Sequence, residues 1–331
     1  MARTQNVALV GSDSLLGREI RDLFPSSGLG GSLSLVAGGE EEVGALTRLE
    51  DEPAVVSPLD PQALEGAAVV FLAGTPESSR QALAMRTEAA LIDLTYATED
   101  APAARVRAPL AEPLEYTAPA GAVHVIAHPA ATAIALLLGR LHELTDVARA
   151  VVHIFEPASE RGRKGLDELQ QQTVNLLSFK GLPKNVFDAQ LSFNLLARYG
   201  EDAPEALEDV ERRIERHLAT LNAMSHGAPL PSLRLIQAPV FHGYSFSFWV
   251  EFERHPGLEA VEEALSAEPL DLRGAGLEPP TNVGIAGESG IAIGALSTDR
   301  NNSQACWFWA VADNLRLSAD NAIAVARQLL R

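Results

Sequence analysis

Residues 126–138, IAHPAATAIALLL, place a His-Pro turn between an apolar strand and a run of small, helix-forming residues. Group-transfer enzymes often hold a nucleophile at such a strand-to-helix corner, because the side chain is exposed there and the helix start stabilises negative charge. Here the corner offers only Ala-Ala-Thr-Ala at 130–133. The sequence therefore predicts the backbone of a reactive corner without a strong nucleophile.

A second candidate site is the loop GSDSLLG at 11–17, between the first predicted strand and the first predicted helix. In nucleotide-binding folds such a turn directs backbone amides and a helix start at a pyrophosphate. The middle position is Ser14 instead of glycine, so dinucleotide binding and an ordinary turn both remain open. The loop residues that could contact a dinucleotide are Gly11, Ser12, Ser14, Leu15, Leu16 and Gly17.

Three consecutive carboxylates, Glu40, Glu41 and Glu42, follow the second predicted strand, where the adenosine ribose of a bound dinucleotide would lie. A carboxylate there accepts from a free 2′-hydroxyl and repels a 2′-phosphate, so NAD is favoured over NADP. A solvated acidic loop that binds nothing explains the same residues.

The bulk composition limits the classes of partner. With 26 basic and 44 acidic side chains the formal charge is −18, so neither nucleic acid nor a membrane surface is expected to bind. Cys306 is alone among apolar residues and is expected to be structural, and the scattered histidines predict no metal site. The start of the chain lacks an apolar signal segment and no run approaches the ~20 residues that span a bilayer, so we expect a cytoplasmic protein.

The order of predicted elements divides 331 residues into about two domains. Residues 1–128 alternate strands and helices, which predicts a Rossmann-like, doubly wound parallel sheet with an irregular connection over 96–122. Residues 129–312 contain a helix near 204–221 and successive strands without helices between them, which predicts a mixed or antiparallel sheet in an α+β domain. A last helix, within 313–331, is expected to pack back on the first domain.

Several segments, in order along the whole chain, resemble the aspartate-semialdehyde dehydrogenase family. They are VALVGSDSLLGREI, IDLT at 92–95, IAHP, ELQQQT at 168–173, APVFHGYS at 238–245 and VADNLR at 311–316. The resemblance implies a Rossmann-like NAD(P)-binding domain, an α+β catalytic and dimerisation domain, and a homodimer. It implies the NADPH-dependent reductive dephosphorylation of L-aspartyl 4-phosphate to aspartate semialdehyde, a step of amino-acid biosynthesis. It also adds Gly74 and Asn314 to the predicted dinucleotide contacts.

The resemblance also maps the family's reactive residues onto this sequence. The family's Asn-Pro-x-Cys-(Ser/Thr) turn matches 128–132, so Ala131 stands at the nucleophile position, where a methyl group cannot form a thioacyl intermediate. The acid/base His matches Tyr244, and a phenol with an ordinary pKa near ~10 is a poor proton shuttle at neutral pH. The substrate-binding Arg matches Gln237, and the active-site Gln matches Glu156.

Two further matches to the family place Glu99 at the position of a phosphate-binding Arg and Glu211 at that of a substrate-side Lys. With Glu156 they would set three carboxylates against an anionic substrate, at a cost on the order of a few kcal/mol for each contact. The chain resembles the diverged USG-type relatives of the family, and we expect a pseudoenzyme that binds a nucleotide or a protein, as a homodimer or with an active paralogue.

An alternative is an NAD-dependent oxidoreductase that acts on an unknown substrate without a cysteine nucleophile. His128, Glu156 and Tyr244, with His153 and His242, could surround one cavity and support proton transfer. The same residues could instead only fill the space that catalytic groups occupy in the family.

Overall fold

A computed structural model describes residues 6–39, 43–49, 52–85, 87–225, 227–274 and 276–330. The chain divides into two compact units by its internal contacts. Unit 1 comprises Met1–Ala127 with Ser318–Arg331, and unit 2 comprises His128–Leu317. Glu40–Glu42, on which the expected preference for NAD rests, lie outside the described residues.

Unit 1 is built on a parallel sheet. Its elements in chain order are β1 (Asn6–Val10), α1 (Leu15–Leu23), β2 (Leu33–Val36), β3 (Leu46–Leu49), β4 (Glu52–Val55), β5 (Ala67–Leu72), α2 (Pro76–Ala84), β6 (Ala90–Asp93), β7 (Ala104–Arg107) and β8 (Val123–Ile126). Six of the described strands form the sheet in the order β2-β1-β5-β6-β8-β7, with every pairing parallel. Apolar runs such as AAVVFL suit strands that are buried on both faces.

The two faces of this sheet bury alternate residues of β1. Val7 and Leu9 pack in a core with Ile20 of α1 and with Ala322 and Ile323 near the end of the chain. On the other face, Ala8 and Val10 pack in a second core with Ala82 of α2. Helical cover on both faces of a parallel sheet confirms the predicted doubly wound α/β class.

The prediction of an irregular connection over 96–122 is wrong in part, since residues 104–107 form β7 at the edge of the sheet. The segment ARVR carries two arginines in four residues, so it has no apolar run of the kind that marks a buried strand. It pairs with β8 on one side only, and an edge strand tolerates charged side chains.

Unit 2 contains a mixed sheet. Its elements are α3 (Pro129–Leu144), β9 (Val147–Glu156), α4 (Gly162–Leu177), α5 (Leu207–Ser225), β10 (Ser232–Gln237), β11 (Tyr244–Phe252), α6 (Leu258–Ala264), β12 (Leu270–Leu272), α7 (Asn282–Ile285), β13 (Ile291–Thr298), β14 (Ala305–Ala312) and the start of α8 (Asn314–Leu329). The strand order is β10-β9-β11-β14-β13-β12. Parallel pairs lie at both ends and antiparallel pairs in the middle, as a mixed α+β domain requires.

Two polar side chains of α4 hold the irregular segment that follows the helix. The Glu168 carboxylate accepts from the backbone N–H groups of Asn185 (2.6 Å), Val186 (2.8 Å) and Phe187 (3.2 Å). The Gln172 side chain accepts from Leu191 N–H (2.7 Å) and donates to two backbone carbonyls. The motif ELQQQT therefore fixes a loop, because buried backbone groups outside helices and strands need such partners.

In the part of the chain that the structure describes, no helix combines the length and apolar character needed to cross a membrane.

Candidate active site

The strand-to-helix corner has the geometry that the sequence predicts. The Nδ1 atom of His128 accepts from the Ala130 N–H (3.3 Å) and so caps α3, and Pro129 occupies the first helical position. Ala131 lies in the first turn and is fully buried. The position that matches the family nucleophile thus presents a methyl group inside the packed start of a helix.

Cys306, the one cysteine of the sequence, lies in β14 and is fully buried. Burial raises the pKa of its thiol to about 12, so the thiol stays protonated at neutral pH. It supplies no thiolate for a covalent step.

The register of the sheet brings Glu156 and Gln237 together. They are paired residues of β9 and β10, and the Gln237 amide donates to the Glu156 backbone carbonyl (2.8 Å). On the neighbouring strand, the Tyr244 hydroxyl donates to Glu156 Oε2 (3.1 Å). Three of the four positions predicted from the family therefore meet at the ends of adjacent strands, and all three are fully buried.

Arg161 is the cation that compensates the buried carboxylate. Its Nη2 lies 2.6 Å from Glu156 Oε1, and its Nη1 pairs with Glu205. Burial lowers the pKa of Arg161, but Glu156, Tyr199 and Glu205 together raise it by more, so the guanidinium stays charged. The arginine side chain is only 12% exposed, so this ion pair is largely removed from solvent.

Tyr199 completes the hydrogen bonding of this cluster. Its hydroxyl lies 3.1 Å from Glu156 Oε1 and 2.5 Å from Gln237 Oε1, and its single proton goes to one of these two acceptors. Arg161 Nε donates to the hydroxyl oxygen at 3.4 Å. Burial raises the pKa of Tyr199 above its usual value, so it acts only as a neutral phenol.

His128 and Glu160 form a second titratable pair in the same unit. Burial lowers the pKa of His128 well below its usual value, with further lowering by His217, Arg213 and Arg161. Its Nε2 lies 3.9 Å from Glu160 Oε2. Burial and the nearby Glu156 carboxylate raise the pKa of Glu160 to about 7. The pair combines a neutral imidazole with a carboxyl group that changes charge near neutral pH.

The Glu160–Arg161 side chains also line an open cleft of about 750 Å³ within unit 2. The opposite wall includes Pro183, Asn185 and Val186, the segment held by Glu168. A ligand in this cleft would meet several carboxylates, the paired Arg161 and the ammonium group of Lys164.

Other predicted residues lie apart from this cluster. His153 is three residues from Glu156 on the same strand, so the two side chains point to opposite faces of the sheet. His242 contributes its backbone carbonyl to Asn282 (3.3 Å). The Glu211 carboxylate accepts from Leu235 N–H (2.6 Å) and thereby fastens α5 to β10. Glu99 belongs to unit 1.

Sequence reasoning missed Glu160, Arg161, Tyr199 and His217. His217 Nδ1 accepts from the His128 N–H (2.9 Å), and a signal for it exists, since Arg213 and His217 are four residues apart on the apolar face of α5. Tyr199 lies in the irregular segment between α4 and α5, where periodicity gives no information.

The predicted dinucleotide loop meets two further glycines. A β-carbon on Gly11 would lie 2.2 Å from Gly74 Cα, one on Gly38 would lie 2.4 Å from Gly11 N, and one on Gly74 would lie 2.1 Å from Gly38 O. The backbones of three strand ends therefore lie so close together that no side chain fits between them. Gly11 also has a φ of +84°, which favours glycine. Such a bare edge suits the close approach of a pyrophosphate.

Two serines complete this glycine edge, which comprises Gly11, Gly38 and Gly74. Ser14 Oγ accepts from Gly17 N–H (2.8 Å) and donates to Ala73 O (2.7 Å), so it caps α1. Ser12 Oγ is buried and has no hydrogen-bond partner in the described part of the chain. The amide of Asn314, in unit 2, is engaged by Glu160, Ser159 and Gly243.

Among the described residues, no three His, Cys, Asp or Glu side chains are arranged to hold a metal ion.

The fold agrees with comparisons to known proteins. Residues 138–317 match the family model of the semialdehyde dehydrogenase dimerisation domain, and this range is more than half of the chain. The chain is 30% identical to a USG-1 protein homolog of Pseudomonas aeruginosa, over 100% of this chain and 99% of that protein. The chain therefore belongs to the aspartate-semialdehyde dehydrogenase family.

Two more similarities span the chain. An aspartate-semialdehyde dehydrogenase of Rickettsia bellii is 24% identical over 100% of this chain and 99% of that protein. The structure of a probable aspartate-semialdehyde dehydrogenase from Pseudomonas aeruginosa superposes with a TM-score of 0.87 at 27% identity, over 99% of both chains. A more distant likeness in fold, at 14% identity and a TM-score of 0.66, is to the Candida albicans enzyme with NADP, over 99% of this chain and 98% of that one.

We expect Glu160→Gln to change how stability depends on pH. Because the folded-state pKa is raised from 4.5 to about 7, the folded protein keeps a proton that the unfolded chain releases, so wild-type stability falls as pH rises through this range. The glutamine variant lacks this loss. Its free energy of unfolding, relative to that of the wild type, should therefore rise by on the order of 2 kcal/mol between pH 5 and pH 8. Urea denaturation at each pH measures the difference.

Gln171→Ala, on the same cleft, changes no titratable group and serves as the control, whose difference from wild type should not vary with pH. A Glu160→Gln difference that is also constant with pH would contradict the raised pKa.

Proposed function

We propose that this chain is a dinucleotide-binding, homodimeric member of its family that does not catalyse the family's reductive dephosphorylation of L-aspartyl 4-phosphate. One observation carries the proposal. Three of the four positions that match the family's active site, Glu156, Gln237 and Tyr244, belong to a polar network whose nearest cation, Arg161, is already paired. The fourth position, Ala131, has no nucleophilic atom. The family resemblance supplies the matches, and the network supplies the physical reason.

The covalent step of the family reaction requires a thiolate that attacks the acyl phosphate. Ala131 has no lone pair, and Cys306 is a buried, protonated thiol in β14. Neither residue can form a thioester, so phosphate has no route to leave through the enzyme.

The charge of the network also opposes the family substrate. An acyl phosphate with a carboxylate requires unpaired cations, whereas Arg161 is bound by Glu156 and Glu205. To release that guanidinium for a ligand would leave Glu156 buried and uncompensated, which costs several kcal/mol. The site therefore favours its internal ion pair over an anionic substrate.

The glycine edge supports retention of a dinucleotide site. Gly11, Ser12, Ser14, Leu15, Leu16, Gly17 and Gly74 would hold the pyrophosphate through backbone N–H groups and the α1 start, whose first turn carries no acidic residue. The bound nicotinamide would supply hydride transfer. NAD and NADP are both candidates, and the preference for NAD rests on Glu40–Glu42.

A second candidate function is an NAD-dependent oxidoreductase without a cysteine nucleophile. The observation that favours it is the Glu160–His128 pair, because a carboxyl group with a pKa of about 7 is suited to general acid/base catalysis at neutral pH. Tyr244 beside Glu156 adds a neutral hydrogen-bond donor.

Calorimetric titration with NAD, NADH, NADP and NADPH tests both candidates. We expect at least one dinucleotide to bind to the wild type and none to bind to Gly11→Ala, because the added β-carbon fills the glycine edge. Gly28→Ala is the matched control, since Gly28 also has a positive φ but no atom within 4 Å of an added β-carbon. Failure of all four dinucleotides to bind folded wild type would remove both functions.

Turnover measurements test whether the family reaction is lost. With L-aspartate semialdehyde, phosphate and either NADP or NAD, we expect no reduction of the nicotinamide by the wild type. Ala131→Cys alone should restore nothing, because Gln237, Tyr244 and the paired Arg161 remain. Thiol titration of the unfolded variant checks that the new cysteine is present. Turnover in either protein would overturn the proposal.

The homodimer is supported by exposed apolar side chains within the matched dimerisation domain. Val174, Leu177, Phe193 and Leu195 are more than half exposed, and Phe179 is 99% exposed. Monomers rarely expose so many large apolar residues in one short segment. A second copy of the chain that covers this segment would remove the free-energy cost of exposing these side chains to water.

We expect multi-angle light scattering to give a dimer mass for the wild type and a weakened dimer for Phe179→Asn. Asparagine tolerates the φ of 55° at this position, so the substitution tests the lost ring rather than backbone strain. Leu114→Asn, at a fully exposed leucine of unit 1, is the control and should stay dimeric. A wild-type monomer that dimerises only with an active relative would replace the homodimer by a heterodimer.

A further inference from the structure

Unit 1 contains a cavity of about 610 Å³ near the amino-terminal ends of β6 and β8. The glycine edge lies at the other end of the parallel strands. The cavity is lined where β6 and β8 begin, whereas Gly11 and Gly74 follow the ends of β1 and β5. Because all these strands are parallel, the cavity and the glycine edge lie at opposite ends of the strands. The apolar part of the wall includes Leu83, Leu91 and Val123.

Arg107 forms the polar floor of this cavity and is only 2% exposed. Its Nε donates to Glu112 Oε1 (2.9 Å) and its Nη2 to Glu112 Oε2 (3.0 Å) and Gln328 Oε1 (2.5 Å). The guanidinium carbon also lies 4.9 Å from the centre of the Tyr116 ring. The charge of Arg107 is thus neutralised within the protein by a bidentate ion pair.

His124 is held in one tautomer by this arginine. Arg107 Nη1 lies 3.1 Å from His124 Nδ1, and because a guanidinium only donates, Nδ1 must accept. Burial, and then the charge of Arg107, lower the pKa of His124 to about 4, so the imidazole is neutral at neutral pH. The proton of the ring therefore resides on Nε2.

That Nε2–H has no acceptor among the described residues, and it is not one of the side-chain atoms that are sealed from solvent. It is therefore reached from the cavity that His124 lines. At such a donor the acceptor atom of a ligand can take the place of water. The fixed tautomer of His124 thus defines where that acceptor atom would lie.

We propose that this cavity binds a small, uncharged molecule whose carbonyl oxygen accepts from His124 Nε2–H and whose hydrocarbon part lies against Leu83, Leu91 and Val123. An anionic ligand is disfavoured because Glu112 already neutralises Arg107, Glu88 lies on the wall, and the chain carries a formal charge of −18. A cationic ligand is disfavoured because His124 and Arg107 present donors.

Three probes of similar shape test the chemical class. Acetophenone carries an uncharged carbonyl, benzoate a carboxylate, and ethylbenzene no acceptor. With protein that carries ¹⁵N-labelled histidine, we expect acetophenone to shift the His124 Nε2 resonance saturably, and to bind about 3- to 10-fold more tightly than ethylbenzene. No shift with acetophenone, or tighter binding of benzoate, would overturn the proposal.

Two variants locate the binding. His124→Phe keeps a ring but removes the donor, and should weaken acetophenone by about the same 3- to 10-fold while ethylbenzene is unaffected. Ala118→Phe adds a ring at the wall of the cavity and should weaken both probes, whereas Ala84→Phe, at an exposed position of α2, should weaken neither. Circular dichroism confirms that each variant is folded, and equal acetophenone affinity in wild type and folded Ala118→Phe would place the probe elsewhere and refute the site.

Discussion

Glu156 ends β9 with a carboxylate that is wholly removed from water, and the surrounding part of unit 2 is arranged to satisfy it. Its partners come from three elements with no sequence relation to one another: Arg161 before α4, Tyr199 in the irregular segment, and Tyr244 at the start of β11. A buried charge without partners costs far more free energy than its pairing gains. The two carboxylate oxygens of Glu156 therefore constrain all three segments. The Glu168 and Gln172 side chains serve the same end, because they fix the segment that delivers Tyr199.

The polar network around Glu156 differs from a catalytic pocket in how its polar groups are satisfied. A catalytic pocket for an anionic substrate needs polar groups that remain partly unsatisfied until the ligand arrives. Here the carboxylate, the guanidinium and both phenols are bonded to one another, so the arrangement is complete without a ligand. Glu160 is the exception, since its carboxylate accepts from Asn314 and lies at longer range from His128, while its side chain lines an open cleft.

The resemblance to the family, and not strand periodicity, identified Glu156, Gln237 and Tyr244 as site positions, and the register of the sheet brings them together. The sequence itself predicted the start of α3 from the His-Pro step. It could not predict Arg161 or Tyr199, because their positions follow from turns and from an irregular segment fixed by side-chain bonds to the backbone. The edge strand β7 was missed for a similar reason, since a short charged segment is recognisable as a strand only when its neighbour β8 is present. His153 and His242 show the converse limit, because closeness in sequence to a site does not decide which face of a sheet a residue occupies.

The imidazole that caps α3 links the charge of the site to the formation of a helix. His128 can accept from the Ala130 N–H only while Nδ1 keeps its lone pair, so protonation would turn the cap into a donor facing a donor. Burial is the main cause that lowers the pKa of His128 and keeps the imidazole neutral, and His217, Arg213 and Arg161 lower it further. Although cations are normally unfavourable near a helix N-terminus, the two arginines therefore favour the cap that begins α3. The corner that lacks a nucleophile is thus a folding element whose cap requires a buried, neutral imidazole.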